Sequence, residues 1–121
     1  MVTPATSIRV FGGYLLVLAA VLILAPNVFL GWFGFPAVTD VWIRVVGMLV
    51  GFLGYYYLRA SAAGFDAFFA WTVPARLSVL GFFGAFVALD LVPPVLLLFG
   101  AVDAAAATWT WLAIRNAPTR D

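Results

Sequence analysis

Lysine, glutamate, histidine, cysteine and glutamine are all missing from this sequence; every base is Arg and every acid is Asp. Each absence removes a chemistry. Zinc and haem sites draw on His or Cys, so the chain offers no ligands for them, and without a thiol it carries no redox couple of its own. No His or Lys is present to activate a hydroxyl, so Ser78, Thr108 and Thr110 read as interhelical or backbone hydrogen bonders and not as nucleophiles. Phosphate-cradling glycine loops and nucleophile elbows are also lacking, and no catalytic motif or cofactor site is expected. Charge is scarce altogether: 9% of residues are charged and the net charge is +1, which leaves no basic surface for nucleic acid.

What fills the chain is apolar. Of 121 residues 66% are hydrophobic, with a mean hydropathy of +1.15, far from the soluble balance of about half apolar and a quarter charged. Apolar runs of about 18 residues or more are long enough to cross roughly 30 Å of hydrocarbon as helices. Four such runs occur, at about residues 8–25, 41–60, 74–91 and 94–114. The expected fold is therefore all-α, a single integral membrane domain arranged as an up-down-up-down four-helix bundle. Two aromatic stretches, "PNVFLGWFGFP" (26–36) and "GFDAFFAWT" (64–72), are too short to span and are expected to lie at the membrane surface after the first and second spans. Pro74 suits the first turn of the third span with Thr72 as N-cap, which places Arg76 where it can snorkel to the headgroups; the competing reading extends that helix back to Phe65 and leaves Pro74 inside it.

Arginine placement predicts orientation. An even number of spans puts Arg9, Arg59, Arg76, Arg115 and Arg120 on one side and Arg44 on the other, so both termini are expected in the cytoplasm, in a bacterial cytoplasmic membrane. The first run lacks a small-residue cleavage site before a polar region, so no cleavable signal peptide is expected.

Two polar residues stand out against this background. Arg44 shares a helix face with Gly47, Gly51 and Gly54, a small-residue stripe suited to close helix contact, a theme repeated by Gly81 and Gly84 in the third span. Asp103 lies in the fourth span on the face of Gly100, Ala106, Ala107 and Thr110, where a carboxylate costs about 2.5–3.5 kcal/mol on insertion scales unless paired, protonated or solvated. An Arg44–Asp103 pair that fixes helix register and a ligand or proton site at the same residues are both open. Asp90, near the end of the third span, reads as an interfacial acid that could also reach Arg44.

Four spans, the Pro-bounded stretch "PNVFLGWFGFP", the face "RVVGMLVG" and an acid in the last helix resemble the DoxX-like group of small bacterial membrane proteins. That resemblance implies a subunit accessory to membrane oxidoreductase assemblies. The leading expectation is an accessory or structural membrane subunit packing against lipids and partner membrane proteins, as a homo-oligomer or within a larger complex. The alternative is a small carrier or binding protein with an intramembrane site for an anionic or amphipathic ligand near Arg44 and Asp103. A quinone-associated redox partner comes third.

Overall fold

The computed structural model describes residues 3–117. The first helix, α1, runs Pro4–Leu24, followed by a short α2 (Pro26–Trp32), then α3 (Trp42–Ala63), α4 (Asp66–Ala88) and α5 (Leu96–Arg115); no strand occurs among the described residues. α1, α3, α4 and α5 are each long and apolar enough to cross a membrane.

Local chemistry sets the boundaries. Thr3 caps α1, its Oγ1 accepting from the Thr6 N–H at 3.2 Å, and Pro4 fills the first turn, where a missing N–H costs nothing. Pro26 plays the same part in α2, so the first aromatic stretch begins as a short helix. Asn27 then holds the following loop: its Nδ2 donates to the Val38 carbonyl at 2.9 Å and its Oδ1 accepts from the Val38 N–H at 2.8 Å. Phe29 of α2 and Phe33 just after it pack on Phe99 of α5, with ring centroids 5.6 and 5.0 Å away. At the other end, α3 stops at Gly64, whose φ of +64° is the left-handed conformation that glycine adopts without a Cβ penalty. Gly64 N–H donates to Ser61 O and Phe65 N–H to Ala60 O, the paired bonds of a Schellman turn.

That turn corrects the expected second surface segment. Residues 66–72 are not a separate stretch: α4 begins at Asp66 and passes through Pro74. The chain has already reversed at Gly64, and proline is tolerated within membrane-type helices when its surroundings absorb the lost bond. Thr72 is accordingly no N-cap, and Arg76 lies about 15 Å along α4 by helix rise instead of in its first turn. The remaining helices match the expected runs to within a turn, α1 starting four residues earlier, at Pro4.

Long helices pack as two antiparallel pairs, α1 with α3 and α4 with α5, joined mainly through α1 against α5. In the first pair Gly12 faces Gly54 and Tyr57, while Gly47 faces Ala19, Leu22 and Ile23. In the second, Gly100 lies against Leu80 and Phe83, and Thr110 against Arg76. Successive long helices therefore alternate in direction. One end of the assembly gathers the start of α1, the α3–α4 turn and the end of α5 around a core of Ile8, Phe11, Leu15, Tyr57, Ala60 and Phe69.

Candidate functional site

Arg76 sits in that core and is only 3% exposed. A helical side chain leans toward the N-terminal end of its helix, so Arg76 does reach back toward the nearer end of the bundle, but it finishes inside protein, not among headgroups. Its Nη2 donates to Thr72 Oγ1 at 2.9 Å and Thr110 Oγ1 at 2.8 Å, and its Nε donates to Thr72 O at 3.4 Å. The guanidinium carbon lies 4.9 Å from the centroid of Phe11 and 5.7 Å from that of Tyr57, so ring faces supply part of its compensation.

The hydroxyls around it form two directed branches. Ser7 Oγ is 2.7 Å from Pro4 O, which can only accept, so Ser7 donates there and accepts from Thr110 at 2.8 Å. Thr110, 0% exposed, thus accepts from Arg76 and donates to Ser7. In the other branch Thr72 accepts from Arg76 and donates to Phe69 O at 2.7 Å. Each hydroxyl hydrogen is committed, and both branches end on main-chain carbonyls. Arg76 Nη1, fully buried, has no hydrogen-bond partner among the described residues.

Asp103 is half-buried and near enough to Arg76, Tyr14 and Tyr57 to interact with them electrostatically, without a direct ion pair or hydrogen bond among the described residues. Arg44 is elsewhere. It is exposed, and its Nη1 donates to the carbonyl of Ile23 in the last turn of α1. Ile23 lies nine residues beyond Tyr14, about 14 Å by helix rise, so the expected Arg44–Asp103 site is not assembled. The arginine on the glycine face does point at a neighbouring helix, but it meets that helix's free carbonyls instead of an acid. Asp90 is exposed in the α4–α5 turn at φ +57°, a left-handed conformation that Asp tolerates better than most residues, and it makes no contact with Arg44.

Glycine placement divides similarly. A Cβ on Gly47 would come within 3.0 Å of Leu22 and Ile23, one on Gly54 within 3.0 Å of Gly12 O, and one on Gly51 within 3.3 Å of Ala19. Gly81 and Gly84 have nothing within 4 Å. Two contact glycines were not on the expected stripe: Gly12, facing Tyr57 Cβ at 3.0 Å, and Gly100, facing Leu80 at 3.0 Å. Gly12 follows Phe11 and has Leu16 four positions on, so no spacing signal marks it; Gly100 has Ala104 four positions on, a small-residue spacing that could have marked it. Ser78 and Thr108 bond backward to Ala75 O and Ala104 O, as expected of helical hydroxyls, and Thr110 bridges three helices.

No protein-family model matches the chain, and no curated protein or solved structure is detectably similar to it.

Proposed function

We propose that this is an integral membrane protein crossing the bilayer four times, with an interior site that binds an anion at Arg76. The carrying observation is the buried Arg76, whose guanidinium is held by hydroxyls and aromatic faces while its Nη1 has no acceptor among the described residues. A buried guanidinium is costly unless compensated, and the lack of a direct acid counterpart distinguishes it from a structural ion pair. Broad exposed apolar faces on all four long helices support bilayer insertion. Orientation still follows the arginines after Arg76 is removed from the count: Arg9, Arg59 and Arg115 are exposed at one end and Arg44 at the other, with Arg120 outside the described residues, which supports cytoplasmic termini.

The test is thermal unfolding of the detergent-purified protein in chloride, decanoate and decyl phosphate. At least one anion is expected to raise the unfolding temperature of the native protein and to lose that effect in Arg76→Gln and Arg76→Lys. A response identical in all three proteins, or none in any, refutes anion binding at Arg76.

A second reading, the accessory subunit, is favoured by the outer half of α4. There Gly81 and Gly84 face open space beside Phe82, 62% exposed, an arrangement that admits close approach of another helix. Purification in mild detergent separates the two: a stoichiometric larger complex supports the subunit, and a lone monomer argues against it.

A further inference from the structure

The two hydroxyl branches that leave Arg76 end on Pro4 O and Phe69 O. Pro4 and Phe69 are also walls of a cavity of about 340 Å³ at the end of the bundle, together with Thr3, Asp66, Ile114 and Ala117. The polar core and the cavity thus share a partition that contains Pro4 and Phe69. Its principal side chain is Phe69, 2% exposed, which belongs to the same apolar cluster as Phe11 and Tyr57, the rings flanking the guanidinium. The volume falls at the lower end of small-molecule sites, about 300–1,000 Å³.

Donor and acceptor balance fixes what can occupy the inner end. Both Nη2 hydrogens and the Nε hydrogen are used, Ser7 and Thr72 donate to carbonyls and Thr110 donates to Ser7, so the groups left unmatched among the described residues are the donors of Nη1. A ligand must therefore bring lone pairs and no proton. Charge limits it further. Arg76 is a single buried guanidinium, so one negative charge on the ligand is matched and a second would be left uncompensated in an apolar setting. Phe69, Ile114, Pro4 and Ala117 offer an apolar lining to whatever trails behind the charged head.

We infer that the cavity and Arg76 form one site for a carboxylate-headed amphiphile, a single negative charge on an apolar chain. It enters at the end formed by the start of α1, the α3–α4 turn and the end of α5, and the Phe69 ring swings aside to admit the head to Nη1. This rests on the anion-binding reading above and adds its route and ligand class.

The chain contains no cysteine, so Ala117→Cys provides a single thiol in the cavity wall. In detergent-purified protein, decanoate below its own micelle concentration is expected to bind saturably at one per chain by equilibrium dialysis. It should slow maleimide labelling of Ala117→Cys at least fivefold, while Arg76→Lys should weaken decanoate binding at least tenfold. Decyl phosphate should bind at least tenfold more weakly, and decyltrimethylammonium should not compete. Phe69→Ala, which thins the partition, should speed decanoate association several-fold. The labelling arm keeps Arg76 intact, so it decides even where an Arg76 variant does not fold. Saturable decanoate binding without protection of Ala117→Cys overturns the route; tighter decyl phosphate overturns the carboxylate; an Arg76-dependent response to chloride without decanoate binding overturns this inference and leaves the anion site standing. No Arg76-dependent response to any anion overturns both.

Discussion

Arg44 and Arg76 show how differently one residue type can be accommodated in an apolar chain. Arg44 meets the C-terminal carbonyls of α1, where a cation satisfies an unpaired acceptor and faces the negative end of the helix dipole. Arg44→Gln should therefore destabilise the protein by about 1 kcal/mol or less. Combining it with Asp103→Asn should give a strictly additive loss in chemical denaturation, because the two side chains share no partner. Recovery in the double variant would restore the direct pair that the geometry does not contain. Sequence made Arg44 conspicuous because it precedes a glycine stripe, and its direction toward a neighbouring helix was legible. Its partner was not, since a main-chain carbonyl at the end of α1 leaves no mark in residue types. Arg76 was misplaced for a related reason: Pro74 fits a first turn as well as a tolerated interior position, and the Gly64 reversal that decides between them depends on a backbone angle.

Helix contacts in this molecule are made by glycines whose importance depends on what faces them. Gly54→Val would drive side-chain atoms into Gly12 O and Leu16, and should cost roughly 1–3 kcal/mol or more through overpacking. Gly81→Val, with open space around it, should leave thermal stability of the isolated chain within about 0.5 kcal/mol. Comparison of unfolding temperatures in one detergent tests both, and a loss at Gly81 only in native membranes would reveal a partner on α4. The spacing of Gly47, Gly51 and Gly54 exposed the α3 face to sequence reading. The same spacing logic marked Gly81 and Gly84, which pack on nothing within the chain, because periodicity identifies a smooth surface without saying whether another helix lies against it. Pro74 is exposed and removes one intrahelical bond from α4. Pro74→Ala should stabilise the helix by about 1 kcal/mol, less than the soluble-helix value of about 3 kcal/mol because membrane-type surroundings already absorb part of the strain. A drop in unfolding temperature would show that Pro74 is needed to seat Arg76.

At the scale of the whole molecule, the number of long helices and their alternating direction were readable from hydropathy and loop length alone. Their pairing was not. α1 serves both as the partner of α3 and as the link to α5, a role set by Gly12 and Ser7, neither of which is distinctive in sequence. Orientation in the membrane is tested by fusing reporters after Asp121 and near Val38. The first should be active only as a cytoplasmic reporter and the second only as a periplasmic one; the reverse result would invert the molecule and place the Arg76 cavity on the outer face.

The committed hydroxyls of Ser7, Thr72 and Thr110 also bear on proton movement. A Grotthuss chain needs a donor that can surrender its proton at the head and an acceptor that can keep it at the tail. Here the head is a guanidinium, which does not deprotonate in proteins, and the tails are amide carbonyls, which take no proton at neutral pH. Both ends are blocked, so the row of oxygens from Arg76 to the cavity wall is an electrical insulator for protons even while it orients the charge. Any ion gradient across this protein would have to act on the ligand's own charge or on Asp103, and not along that row.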